Sequence, residues 1–221
     1  AASDVYKRQV QTLGTWIASN NDKFNWKVMW GAASAVLLWT LWYGWYTNGG
    51  DISYGRLNKI PFEEIKWYHA MAPGILLILT RIGVPVSTSF LVLSAFASTF
   101  VLEKMLMKSM MGYAVAAMAA YAIWIVVSKI LDEAKPVKEE HKSYWRVGQW
   151  VTTGFLWFTW LSHDMANIAV FLPREIPYDL MIMISVVFIA GLAYMFREGG
   201  GKIQKIVLEK HNTRYVRSAT I

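Results

Sequence analysis

From Leu180 to Phe196 the chain carries no charged residue, and the same holds from Val28 to Tyr46 and from Met111 to Val127. A helix crosses the hydrocarbon core of a bilayer with roughly 20 apolar residues, so runs of this length read as spanning helices. Within lipid only helices and closed barrels satisfy their own backbone groups. These runs therefore predict an all-α, polytopic integral membrane protein. Composition agrees: 55 % of the residues are hydrophobic and 17 % charged, against about a quarter charged in soluble domains. The formal charge of +7 does not point to nucleic acid, because Lys and Arg sit in the connections between apolar runs. The sequence has no cysteine, which excludes disulfides, thiolate metal sites and cysteine nucleophiles.

Residues 1–9 are polar, lead into Val10 without a cap, and read as a non-native scar. Val10 to Ser19 reads as the last turns of a membrane helix, and 20–27 as a polar loop. Val28 to Tyr46 spans, its Trp and Tyr residues serving helix packing and interfacial belts. Thr47 to Lys66 is a polar loop with the turn signal Asn48-Gly49-Gly50-Asp51. Trp67 to Leu102 is a hairpin, Glu103 to Met110 a short loop, and Met111 to Val127 a span with small packing residues. A mixed-charge loop at 128–144 precedes a long helix from Trp145 to Leu172, a turn at Pro173 to Pro177, and a span from Tyr178 to Phe196. The glycines at 199–201 release a basic, interfacial tail. Sorting Lys and Arg by side places 20–27, 128–144 and 197–221 in the cytoplasm of a plasma or bacterial inner membrane.

The hairpin is the first candidate site. Its arms, Ile75 to Thr80 and Phe90 to Ala97, are each too short to span, and Arg81 to Ser89 breaks them. A break at membrane depth is tolerated only against protein or a water-filled cavity. Pro85 suits the first turn of the second arm, and Ser87, Thr88 and Ser89 put hydroxyls beside free N–H groups at a positive dipole end. That combination is an anion site, and a Pro-kinked single helix is the competing reading.

The second candidate is Asp164, deep in an apolar helix with Asn167 three residues on. Intramembrane acids cost about 2.5–3.5 kcal/mol on insertion scales and usually face a pathway. Positions three apart share a helix face, so the pair offers oxygen ligands for Na⁺ or a protonatable group for H⁺. A structural carboxylate paired with His163 is the plainer reading. Gln11 to Ala18 can be laid over Asn167 to Leu172, in a helix running the opposite way, which suggests inverted-topology repeats over 10–127 and from 145 to 221.

At these residues the chain resembles a family. Pro85-Val86-Ser87-Thr88-Ser89 resembles the P-x-S-T-T hairpin motif of the inorganic phosphate transporter (PiT) family. His163-Asp164-Met165-Ala166-Asn167 is similar to that family's G-A-N-D-x-x-N helix motif, and Gln11-Thr12 to the tail of its first copy. The resemblance implies two inverted repeats, each with one such helix and one such hairpin, and phosphate uptake driven by Na⁺ or H⁺. It implies an anion held by Ser87, Thr88 and Ser89, and a coupling cation held by Asp164 and Asn167 with Gln11 and Thr12. The chain departs from the family at Ser89-Phe90, where Thr-His is usual, at Ser162-His163, where Ala-Asn is usual, and at Lys7-Arg8, where the first Asn-Asp pair would fall. No second P-x-S-T hairpin appears before Ile221, so on this resemblance the chain is a divergent member truncated at both ends.

Arg81 could attract the anion or snorkel to the interface. His69, at the hairpin entrance, reads as a packing or interfacial histidine rather than a proton relay. The expectation is a non-enzymatic secondary transporter of phosphate or a similar oxyanion, with Na⁺ or H⁺ as coupling ion, no other cofactor, and the bilayer as partner; homo-oligomerisation stays open. A structural subunit of a membrane complex is the alternative. A membrane-embedded hydrolase using His163-Asp164 ranks lower, since adjacent helix positions point about 100° apart.

Overall fold

The computed structural model describes residues 13–198 apart from 15, 18, 22, 61, 63, 83–86, 97–98 and 131–141. The suspected scar at 1–9, Gln11 and Thr12, the hairpin tip with Gly83 and Pro85, and the tail from Gly199 lie outside the described residues. Every regular element among the described residues is helical. Helix α1 covers the described positions 13, 14, 16, 17, 19 and 20. It is followed by α2 (Trp26–Thr47), 3₁₀ turns at Arg56–Lys59 and Trp67–Ala70, α3 (Met71–Ile82), α4 (Thr88–Ser94) and α5 (Thr99–Ile130). The chain closes with α6 (Lys142–Asp164), α7 (Ala166–Ala169) and α8 (Tyr178–Arg197). Two segments, Val101–Ile123 and Tyr178–Arg197, are long and apolar enough to cross a membrane.

Helix α2 is the hub, packing on both α6 and α8. It starts where the Asn25 side chain accepts from the Lys27 N–H at 3.1 Å, and it stops where Asn48 turns back onto the Gly44 carbonyl. Met29, Ala33, Leu37 and Leu41 recur every fourth residue and are buried, giving one apolar stripe. Three indoles then tie the bundle through carbonyls that have a spare lone pair. Trp157 of α6 donates to Ala33 O at 3.3 Å, Trp30 of α2 to Ile189 O of α8 at 3.1 Å, and Trp45 to Ile176 O at 2.8 Å. The packing role expected of the aromatics therefore holds for these three, while Trp39 and Tyr46 face outward.

Helix α1 is held by a buried amide cluster. Asn20 Nδ2 donates to Gln149 Oε1 of α6 at 2.9 Å, Gln149 Nε2 donates to Ser19 Oγ, and Trp150 Nε1 donates to Asn20 Oδ1 at 3.2 Å. Trp16 closes the seam edge-on against Trp150 at 4.9 Å and Phe196 at 6.1 Å.

At the other end of α2 the connections interlock. Ile176 N–H donates to Gly50 O at 3.0 Å, and Arg174 Nη2 to Ile60 O at 3.0 Å. Gly50 has φ +96, and a Cβ there would sit 3.2 Å from Glu175 Cα, so a side chain would part the two loops. Asp51 organises the turn by accepting from Ser53 N–H at 2.7 Å and Gly55 N–H at 3.0 Å. Tyr54 takes a left-handed backbone, φ 56, uncommon for a bulky residue. Its hydroxyl donates to Thr40 O at 2.6 Å, and its ring lies over Gly44, where a Cβ would come within 2.7 Å.

Two expectations are corrected. Glu103 to Met110 is no loop: α5 runs unbroken for 32 residues from Thr99. At 1.5 Å per residue that is about 48 Å, more than a hydrocarbon core of about 30 Å, so charges can sit near one end of a spanning helix. The charged connection accordingly shrinks, since Ser128 to Ile130 end α5 and Lys142 to Tyr144 begin α6. Trp145 to Leu172 is likewise no single helix; it divides at Met165 into α6 and α7.

Removing one amide of the buried cluster strands the other. Gln149→Leu is expected to destabilise the protein by about 1–3 kcal/mol, and Asn20→Leu/Gln149→Leu by less than the sum of the single changes. Thermal unfolding in detergent checks this. Burial pushes the Tyr54 phenol up to about 12 from 10.0, with the nearby Tyr43 adding to the rise. The folded state thus favours the protonated phenol. The resulting stabilisation is present below pH 10 and is lost as pH rises toward 12. Phenolate absorbance of wild type minus Tyr54→Phe should show one group titrating near the upper end of that window.

Candidate functional site

The hairpin begins with the 3₁₀ turn at Trp67–Ala70, and Pro73 falls in the first turn of α3, where a missing N–H breaks no ladder bond. Helices α3 and α4 pack on each other, α3 running to Ile82 and α4 from Thr88, so Arg81 and Ser89 fall inside the two helices. The second arm stops at Ser94, and Leu102 belongs to α5. Arg81 lies in the last turn of α3, and its side chain is outside the described residues.

The three hydroxyls after the break take three environments, as successive helix positions about 100° apart must. Ser87 is the exposed N-cap of α4, with φ −69 and ψ 109; its Oγ accepts from Phe90 N–H at 3.4 Å and its carbonyl from Leu91 N–H at 3.0 Å. Thr88 is buried. Ser89 faces α7, where Asn167 Nδ2 donates to its Oγ at 3.1 Å. Ser89 thus brings the hairpin into contact with the second candidate segment.

That segment is the break in the long helix. Asp164 ends α6 and is 8 % exposed, deep enough that a carboxylate needs partners nearby. Met165 keeps helical dihedrals, φ −56 and ψ −30, and its carbonyl accepts from both Ile168 N–H at 3.1 Å and Ala169 N–H at 2.8 Å. Helix α7 is buried throughout, packed on α4, α6 and the 3₁₀ turn at Arg56–Lys59. Asp164 Oδ1 lies 3.1 Å from His163 Nδ1, and the His163 side chain is 46 % exposed. The two adjacent side chains therefore meet, as the reading of Asp164 paired with His163 expects.

The polar groups of this segment are the Asp164 carboxylate at the end of α6 and the Asn167 amide of α7, whose Nδ2 meets the Ser89 hydroxyl of α4. No group of three or more His, Asp or Glu side chains able to hold a metal ion occurs among the described residues. A weakly bound monovalent cation differs in needing one carboxylate supplemented by neutral oxygens. His69 is buried at the hairpin base, as a packing histidine should be. The amides Asn20 and Gln149 were not singled out from the sequence, although a lone glutamine in an aromatic stretch, Tyr144 to Trp160, was a usable signal.

Comparison with family models, curated proteins and solved structures finds no match for this chain.

The Ser89–Asn167 contact should be visible as coupling. In a double-mutant cycle of Ser89→Ala and Asn167→Ala, unfolding free energies are expected to show about 0.5–1.5 kcal/mol of interaction; additivity of the two changes would deny the contact.

Proposed function

We propose that the chain is a multi-pass membrane protein that acts as a secondary transporter of inorganic phosphate or a similar oxyanion, coupled to Na⁺ or H⁺. The Ser89–Asn167 hydrogen bond supports this reading most, because it joins two separate helix breaks, 78 residues apart, beside a buried carboxylate. Two interrupted helices meeting at a charged residue is how many transporters build a substrate site. On this reading Ser87, Thr88 and Ser89, with backbone N–H groups and Arg81, bind the anion. Asp164 and Asn167, with Gln11 and Thr12, bind the coupling ion. The resemblance to the inorganic phosphate transporter family in the hairpin and helix motifs points the same way. Inverted repeats and a cytoplasmic placement of 20–27, 128–144 and 197–221 complete the proposal, with rocking of one repeat on the other giving alternating access.

Uptake of labelled phosphate and sulfate into liposomes, with and without Na⁺ or pH gradients, is the test. Ser89→Ala is expected to weaken apparent anion affinity about tenfold, as loss of one hydrogen bond to an anion would. Asp164→Asn is expected to abolish gradient-driven accumulation. Wild-type uptake that both Asp164→Asn and Ser87→Ala leave unchanged would sink the site assignment. No uptake by wild type would favour a structural subunit instead.

A further inference from the structure

We propose that His69 is the positioning residue of this site: its imidazole sets the base of the hairpin so that α4 presents Ser89 to Asn167. The proposal rests on the reading that α4 and the 164–167 segment form the functional site. His69 closes the 3₁₀ turn at the hairpin entrance and is 1 % exposed. The Lys66 N–H donates to its Nδ1 at 3.1 Å, so that nitrogen carries no proton and the neutral ring keeps its proton on Nε2. This bond fixes the angle at which the chain enters α3.

The same ring reaches the far end of the hairpin. It lies against Phe96, with centroids 4.3 Å apart and planes at 32°, while Tyr68 meets it edge-on at 4.5 Å. Phe96 follows α4, so one imidazole joins the entry of the first arm to the exit of the second. Phe96 in turn meets Phe171, just beyond α7, edge-on at 5.2 Å. Helix α4 is thereby registered against α7 at two points, Ser89 on Asn167 and Phe96 on Phe171. One hydrogen bond between two side chains leaves a seven-residue helix free to swing; a second contact near its other end does not. A phenylalanine at 69 could supply the ring contact with Phe96. What imidazole adds is an acceptor for Lys66.

The absence of cysteine makes the register measurable. In full-length Ser89→Cys/Asn167→Cys protein in detergent, the rate of oxidant-catalysed disulfide formation reports how often the two positions meet, without reference to transport. With His69→Asn, which keeps an acceptor for the Lys66 N–H but loses the ring against Phe96, the rate is expected to fall about threefold. With His69→Phe and His69→Leu it is expected to fall about tenfold, the scale of one lost net hydrogen bond. Circular dichroism and gel filtration identify any variant that does not fold; His69→Phe, which keeps the ring, decides the matter if His69→Leu fails. Rates equal to the parental value in all variants, or an undiminished rate with His69→Phe, would overturn the proposal. With the cysteines absent, His69→Phe and, to a smaller degree, His69→Asn are expected to raise KM for phosphate while leaving the maximal rate. Wild-type protein that moves no anion overturns the transport reading and leaves the disulfide result to judge the register.

Discussion

A helix that is interrupted away from water must have its freed backbone groups taken up by protein, and this requirement organises the molecule around residues 164–171. The Met165 carbonyl takes two N–H groups, and α7 restarts within one residue. Four residues cannot bury themselves. Helix α7 is covered by α4, by the end of α6 and by the 3₁₀ turn at Arg56–Lys59. The loop carrying that turn is itself fixed by Asp51 and by Arg174 on Ile60. The hairpin, the loop after α2 and the turn before α8 therefore all converge on the break.

The scaffold around it is built with tryptophan. Indoles bury a large apolar area and carry one donor, so each can pack between helices and also bond a carbonyl that its own helix has half used. Trp30 and Trp157 do this from different levels of the bundle, and Trp45 bonds a carbonyl of the turn before α8. In the membrane setting proposed above, packing and such hydrogen bonds would carry more of the helix association than hydrophobic burial does. Helix α5 is the contrast: its apolar side chains are exposed along most of its length, as a surface meeting lipid would be.

What was legible in the sequence follows the kind of signal each element leaves. Helices α2 and α8 are built on long uncharged runs, and their bounds differ from the expected ones by two residues at most. The hairpin was legible because Pro and Gly cluster in it. The loop assigned to Glu103–Met110 rested on charge alone, although Glu, Lys, Leu and Met are good helix formers. Propensity was the better guide there. The break at Met165 has no Gly or Pro to announce it, because tertiary packing makes it. Ser87, Thr88 and Ser89 read alike in the sequence, and the fold separates them: Ser87 Oγ accepts from its own helix at Phe90 N–H, while Ser89, two positions on, meets the partner segment. The pairing of His163 with Asp164 was legible from adjacency alone, and the two side chains lie 3.1 Å apart.

The choice of polar groups in the interior bears on what Asp164 is for. Buried positions among the described residues include Asn20, Gln149, Asn167, Thr40, Thr88 and several serines, but no Lys, Arg or Glu, and Asp164 is the one carboxylate. Where this protein needs a polar contact between distant helices it uses neutral amides, as at Asn20 and Gln149, which avoids the several kcal/mol of desolvation that each ion costs. An asparagine at 164 could still accept a hydrogen bond from His163, and would pack in nearly the same volume without that cost. A carboxylate at this one buried position, where α6 gives way to α7 and against a half-exposed imidazole, is what separates the 164–167 segment from the neutral amide contacts elsewhere in the interior, and it is the feature on which the proposed coupling-ion site rests.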